Sequence, residues 1–528
     1  MAKNRMKSMM QGAFALTIAS FVAKLLSAVY RVPFQNLVGD EGFYVYQQVY
    51  PIYGLAMTLA LAGLPQFISK IIAEAKNPKK QQMILEELYP LVFWLSVLLW
   101  SVFFFFGKWI ALIMGNVALK PLIQMVSFAF LLIPSLSFYR GNFQGKLQMI
   151  PSAISQVVEQ FLRVGVILFG AAMFHQWTLS IYQVGTIAMA GSLVGGIVAI
   201  GILAYYDQKV YGVKQRFFQM SKKITASPAI RRRFLVEGGL LSIFSGLLIM
   251  FQFIDSFLIV NSLELSGMAE QSARVAKGIY DRGQPLVQLG LVVAAALGST
   301  FLPALTGYLV EKREQLFTQS AKIYLKLTVG LGLAATSGLA VLLPSINFAL
   351  FKDNQGSATL TLFVFAIVLT AAIQAYQSIS QSQNHFRRSL KAAGWGLGVK
   401  LLTTGVFTYF WGTVGASLST LVGLITILIY FVRKEESEVN AIWRENHFGI
   451  KLIGVTLGMV LILLGYFQLI HLFFNQLTRV QTLLTSVVGV TVGGGAFIQL
   501  AVWCRLLTIR EWLLLPFGKK ILHFYGGK

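Results

Sequence analysis

The chain has 528 residues, of which 56% are hydrophobic and only 12% are charged, against roughly 25% charged in soluble domains. An apolar excess of this size, laid out in long blocks between short polar stretches, excludes a soluble fold and indicates a polytopic membrane protein. The net charge of +24 raises nucleic acid as a partner, but the bases are scattered over many short loops, which argues against it.

The amino end, Met1 to Gln11, is basic and runs into a full-length apolar block with no small-residue cleavage site, so no cleavable signal peptide is expected. In chain order the blocks predict fourteen spans, near 11–35, 44–72, 88–107, 121–141, 150–174, 180–206, 234–260, 283–309, 323–350, 358–383, 391–411, 413–432, 449–472 and 480–504. Each supplies the ~20 residues that cross a hydrocarbon core, or somewhat more. Trp411 and Gly412 make the tightest of the expected turns. Cys504 is the only cysteine, which excludes an intramolecular disulfide and a cysteine-based zinc site.

An even number of spans puts both termini on one side. With the termini placed in the cytoplasm, 32 of the 44 bases fall in cytoplasmic segments, 7 in external loops and 5 within spans. That is the positive-inside asymmetry, and it gives the +24 a topogenic meaning. The richest loop carries Lys209, Lys214, Arg216, Lys222, Lys223, Arg231, Arg232 and Arg233. A weak internal repeat accompanies it. Tyr139 precedes Arg163 by 24 residues, as Tyr376 precedes Lys400. The expected organisation is an all-α membrane protein with two six-helix lobes (1–206 and 234–434), a basic cytoplasmic loop (207–233) and two additional helices with a basic tail (435–528). Repeated halves around a midplane site are a transporter signature.

Ionisable groups inside spans are costly and mark function by default. The bases are Lys24, Arg31, Arg163, Lys326 and Lys400, with Arg282 at the mouth of the eighth span; the acids are fewer, namely Glu159, Asp255 and Glu237 near a helix end. A net basic interior suits an anionic cargo. Lys24 and Arg31, seven residues apart, project from one face about 10 Å apart along the axis; the alternative for Arg31 is snorkelling to the outer surface ahead of Pro33. Ser152, Gln156, Glu159 and Arg163 form a polar stripe in which Glu159 and Arg163 stand at i,i+4 and are expected to pair. Gln374, Ser378 and Gln381 form a similar stripe. Such stripes serve as helix–helix glue or line a watery cavity. Arg282 either closes on a phosphate or pairs with Asp281. Asp255 either binds a coupling cation or pairs with a base across the bundle. Lys326, near the cytoplasmic end of its span, is expected to snorkel.

Several motifs resemble the SpoVB/YtgP branch of the polysaccharide flippases. They are Ala23-Lys24-Leu25-Leu26, Tyr30-Arg31-Val32-Pro33, Gly39-Asp40-Glu41-Gly42, Tyr50-Pro51-Ile52-Tyr53, Ala62-Gly63-Leu64-Pro65, and Tyr139 to Gly145 followed by Pro151 to Gln160 and Arg163. Tyr280-Asp281-Arg282-Gly283-Gln284-Pro285-Leu286 is similar to the YtgP type. The resemblance covers the whole chain and extends to the MOP exporter superfamily, which includes lipid II flippases of the MurJ type. It implies fourteen helices in two lobes around a central cavity, and a groove from the last two helices for a polyprenyl tail. It implies movement of undecaprenyl-pyrophosphate-linked peptidoglycan precursor from the inner to the outer leaflet of the bacterial cell membrane by alternating access. The family's cavity bases match Lys24, Arg31 (within one residue) and Arg282. The second-helix arginine of proteobacterial members has no counterpart in Leu55-Ala56-Met57-Thr58-Leu59, so either another base, such as Arg163 or Lys400, serves in its place or the cargo differs.

The expected cationic set is therefore Lys24, Arg31, Arg163, Arg282 and Lys400, supported by Gln156, Glu159, Asp255, Asp281, Gln374 and Gln381. No cofactor or metal is expected; membrane potential or a monovalent cation is the candidate driving force. Expected partners are the lipid-linked glycan, membrane lipids and, as candidates, cell-wall synthesis proteins. Competing functions are a flippase for a teichoic-acid or capsule-type lipid-linked glycan, a cation-coupled multidrug antiporter, and a glycan-processing enzyme. The antiporter calls for cavity acids, in which the sequence is poor. The enzyme calls for a positioned acid or base, for which only Glu264, Glu270 and Asp281 are available. No phosphate-binding glycine loop with a lysine supports ATP-driven pumping.

Overall fold

In hydrocarbon each backbone N–H and C=O must find its partner within the protein, and a helix achieves this within one segment. The computed structural model describes residues 2–75, 77–211, 226–474 and 476–513, the side chains of residues 2–15, Tyr211 and Arg510 excepted, and every regular element among them is helical. Lys76, Lys214, Arg216, Lys222, Lys223, Lys519, Lys520 and Lys528 lie outside the described residues, as do the side chains of Lys3, Arg5, Lys7 and Arg510.

Among the described residues, twelve helical stretches are long and apolar enough to cross a membrane. Two of them, Leu16–Glu74 and Phe386–Lys434, run to 59 and 49 residues. Each is broken at a glycine with positive φ, Gly39 (73°) and Gly412 (58°). Those breaks fall where the sequence places turns between the first and second and between the eleventh and twelfth spans. Only glycine enters this region without a Cβ penalty.

The chain resolves into two compact units. Unit 1 comprises residues 1–281 and 397–416, and unit 2 comprises 282–396 and 417–528. The helices Leu247–Leu265 and Glu270–Asp281, expected in the second lobe, thus pack with the first helices. Within unit 1, Met149–Gln176 packs along Ile181–Tyr211 and the first helix, Ala2–Val29, and Lys120–Gly145 packs against Pro78–Phe105 and Ile181–Tyr211. The helix Arg31–Met57 lies among these and buries a run of four tyrosines, Tyr44, Tyr46, Tyr50 and Tyr53.

In unit 2 the 38-residue helix Glu314–Phe351 is central, packed against Val292–Val310, Ala366–Ser382, Phe448–Phe473 and Arg479–Trp503. Two apolar cavities lie along it, of about 560 and 460 Å³. Leu331, Phe497 and Ile498 line both, joining them into one trough against the last described span.

Candidate binding cavity

Unit 1 contains a cavity of about 390 Å³ lined by the first helix, Arg31–Met57 and its continuation, Lys120–Gly145 and Met149–Gln176. Lys24, Ser20 and Ser27 come from the first helix, Tyr50 and Tyr53 from the second, and Gln144, Gln156, Gln160 and Arg163 from the other two. No carboxylate lines it. The polar stripe expected on Met149–Gln176 therefore faces a cavity through Gln156 and Arg163. Ser152 and Glu159, from the same stripe, are buried elsewhere.

Arg163 is 1% exposed and does not pair with Glu159. One terminal nitrogen donates to the Tyr46 hydroxyl at 2.8 Å and the Tyr30 hydroxyl at 3.3 Å, and the other donates to the Gln160 carbonyl at 3.2 Å. Its guanidinium carbon sits 3.9 Å from the centre of the Tyr53 ring, and its Nε has no hydrogen-bond partner. Arg31 does not snorkel. It is fully buried, 4.4 Å above the Tyr50 ring with the Tyr30 hydroxyl beside it, and has no carboxylate partner among the described residues. Lys24 is exposed to the cavity and has no ion-pair partner among the described residues. Unit 1 thus holds Arg163 by hydroxyls, a carboxamide and ring faces and Arg31 by a ring face, while Lys24 stands open to the cavity. A buried cation–π contact is worth about 2 kcal/mol, less than the several kcal/mol that desolvating a guanidinium costs. The balance favours an anion.

The other buried bases are neutralised. Glu159 accepts from Arg140 at 2.7 Å, with both side chains within 2% of full burial. Arg140 therefore lies inside the bundle and is no loop residue. The i,i+4 reading failed because a third helix, Lys120–Gly145, delivers a guanidinium to Glu159 while the tyrosines of Arg31–Met57 attract Arg163. Asp255 meets Lys400 at 2.5 Å and accepts the Tyr280 hydroxyl at 3.0 Å, and Lys400 is fully buried. Of the two alternatives for Asp255, the base partner is the one seen. Asp281 pairs with Lys277, one turn back, at 2.6 Å. Consecutive residues on a helix do not face each other, and Asp281 does not pair with Arg282.

In unit 2, Arg282 is fully buried and donates to both carboxylate oxygens of Asp353, at 2.8 and 3.0 Å, and to the Asn347 carbonyl at 3.3 Å. Burial alone would raise the Asp353 carboxyl, but hydrogen bonds from Arg282 and from the Gln355 N–H outweigh it and hold the group below the usual aspartate range. Lys326 does not snorkel; it is buried between Glu511 (3.2 Å) and Glu445 (3.6 Å). Gln374 and Gln381 are half-buried, and the Ser378 hydroxyl between them donates to the Gln374 carbonyl. Among the described residues no three His, Cys, Asp or Glu side chains come together as metal ligands would.

Residues 9–309 match the family model described as polysaccharide biosynthesis protein. The chain is 34% identical over 519 residues to the uncharacterized membrane protein YabM of Bacillus subtilis (strain 168), covering 97% of this chain and 96% of that one. The chain belongs to the polysaccharide biosynthesis protein family. The chain is also similar to the lipid II flippase MurJ of B. subtilis (strain 168), at 24% identity over 80% of this chain and 81% of that one. Among solved structures, the inward closed conformation of lipid II flippase MurJ aligns with a TM-score of 0.68 at 12% identity, covering 93% of this chain and 98% of that one. An outward-facing MATE multidrug transporter of the MOP superfamily aligns at 0.59, with 15% identity, over 82% and 96%. The fold is that of the MurJ and MATE structures.

Several groups that build the family member's site carry little signal in sequence. Tyr30, Tyr50, Tyr53, Gln144 and Gln160 enter the sequence reading only within the family motifs, with no role, and Tyr46 and Gln66 not at all. The periodicity of the tyrosines on Arg31–Met57 is the one usable trace: those at 46, 50 and 53 repeat at i, i+4 and i+7, one face of a helix.

Proposed function

We propose that this family member is a flippase for a lipid-linked pyrophosphoryl glycan, with undecaprenyl-pyrophosphate-linked peptidoglycan precursor (lipid II) as the leading cargo. The observation that carries this is the set of three cations in unit 1, Lys24, Arg31 and Arg163, that lack a carboxylate partner among the described residues. Each of the other fully buried bases, Arg140, Lys277, Arg282 and Lys400, has one.

A pyrophosphate crossing hydrocarbon needs fixed positive charge in a polar cavity, and arginine offers its oxygens a matching fork. The apolar trough in unit 2 is of the chemistry that takes a polyprenyl tail. A carrier for cationic drugs would need acids where this cavity has a lysine and an arginine. The reading takes the chain as fourteen spans in two six-helix lobes plus two, in the bacterial cell membrane, with both termini cytoplasmic. In it Arg282 and Lys400 act through their ion pairs, released or formed as the protein alternates between states; membrane potential or a monovalent cation supplies the drive.

The test is depletion in the native cell with any redundant flippase removed. Lipid-linked peptidoglycan precursor should accumulate in the inner leaflet. Accumulation of a different lipid-linked glycan would reassign the cargo, and an undisturbed leaflet distribution would overturn the flippase reading.

A further inference from the structure

The cavity of unit 1 holds more than charge. Four carboxamides line it, Gln66, Gln144, Gln156 and Gln160, from three separate helices. Little of their hydrogen-bonding capacity is used. Gln156 accepts from the Ser20 hydroxyl at 3.2 Å and Gln160 accepts from Arg163 at 3.2 Å. Both therefore use the carbonyl oxygen; the amide NH₂ group of Gln156, which donates two hydrogen bonds, is left available, and that of Gln160 stands beside the Tyr53 hydroxyl. Neither Gln66 nor Gln144 makes a side-chain hydrogen bond among the described residues. The Arg163 Nε, on a side chain 1% exposed that lines the same cavity, has no hydrogen-bond partner.

Gln160 is buried, Gln144 and Gln156 are half-buried and Gln66 is exposed, so the cost of about 1–3 kcal/mol for a buried polar atom without a partner falls on the Arg163 Nε, while the carboxamides present open donors and acceptors to the cavity. A group of unfilled donors and acceptors around one polar space is therefore shaped for a guest that supplies the missing partners. The chemistry of the guest follows from the lining. Carboxamides both donate and accept in fixed directions and carry no charge, so they match groups that do the same, hydroxyls and N-acyl amides. The side toward Lys24 and Arg163 matches an anion. A volume of about 390 Å³ falls in the roughly 300–1,000 Å³ range of small-molecule sites. The two cavities of unit 2 have no carboxamide among their lining residues.

We infer that Gln66, Gln144, Gln156 and Gln160 form a glycan subsite that reads the hydroxyl and N-acyl groups of the sugar next to the pyrophosphate, making the glycan, and not the lipid phosphate alone, the recognised part of the cargo. This rests on the flippase reading above and adds to it which residues set specificity.

The test is binding to the full chain in lipid nanodiscs with three probes: undecaprenyl pyrophosphate, the same lipid carrying an N-acetylated disaccharide, and that lipid after de-N-acetylation. Wild type should bind the N-acetylated glycan lipid more tightly than either of the others. Q144L and Q156L should each weaken binding of that glycan lipid by about two- to tenfold, the range of a single neutral hydrogen bond, and leave bare undecaprenyl pyrophosphate within twofold of wild type. The retained pyrophosphate affinity shows that the variants are folded. K24Q should weaken all three probes alike. Equal loss of all probes in the glutamine variants, or no loss of any, overturns the subsite. Binding of none of the probes by wild type overturns the flippase reading beneath it.

Discussion

The Arg140–Glu159 pair gives the sharpest test of how unit 1 is held together. Both side chains are within 2% of full burial, and the contact is 2.7 Å. Arg140 also reaches the Ala60 carbonyl and the Ser155 hydroxyl, each at 3.4 Å, so the pair ties three helical segments together. Glu159→Leu would leave a desolvated guanidinium with only those two long contacts. Removing one partner of a buried pair costs about 3–5 kcal/mol, whereas replacing both by apolar residues of similar volume is neutral or stabilising. Glu159→Leu alone should therefore lower membrane abundance and the midpoint of thermal unfolding in detergent, read by fluorescence-detected size exclusion. Arg140→Met combined with Glu159→Leu should restore most of both. The control is Arg163→Met with Glu159→Leu. If Glu159 serves Arg163, as their i,i+4 spacing suggests, that double variant is the one that recovers. Rescue by Arg163→Met and not by Arg140→Met would refute the pairing; a loss below about 1 kcal/mol for Glu159→Leu would refute the buried-charge argument itself.

Lys24→Ala should abolish complementation of a flippase-depleted strain at unchanged membrane abundance, because Lys24 is exposed to the cavity and has no structural ion pair to lose. The lowered Asp353 carboxyl makes unit 2 pH-sensitive: its contribution is present above the ordinary aspartate range and is lost as pH falls through the lowered value, so a thermal-stability profile in acid should flatten in Asp353→Asn. Gly415→Ala places a Cβ 1.9 Å from the Phe407 carbonyl oxygen, a backbone clash beside the Gly412 turn, and should sharply reduce folded protein on a size-exclusion trace. In a Cys504→Ser background, a cysteine at Ser266 should react with an impermeant thiol reagent added outside, and one at Ser221, in the basic loop beyond the described residues, should not; the reverse pattern would invert the topology.

The helical class and most span positions were legible because a bilayer imposes length and hydropathy on each segment independently of its neighbours. Gly412 was legible as a turn because glycine alone suits that backbone. Pairing was not legible, since it depends on which helices adjoin. Neither Lys277 nor Asp353 drew a role in the sequence, yet each neutralises a partner that the sequence offered to something else. Asp255 and Lys400 are 145 positions apart and meet only through the packing of unit 1. The cavity was half legible: Lys24, Gln156 and Arg163 stood out as polar positions in apolar helices, while nothing in the sequence tied the tyrosines to Arg163.

The tyrosine setting of Arg31 and Arg163 has a kinetic side. A guanidinium locked to a carboxylate must break that pair before each cargo molecule and re-form it afterwards, which places a barrier of several kcal/mol in every turnover. A guanidinium resting on ring faces and phenol hydroxyls gives up much less, about 0.5–2 kcal/mol per ring contact, when an anion arrives. The same contacts wait to receive it when the anion leaves. On the flippase reading proposed above, such a pair of arginines, at 4.4 Å from Tyr50 and 3.9 Å from Tyr53, would exchange one set of weak contacts for another, so that capture and discharge would both be fast without either state becoming a trap.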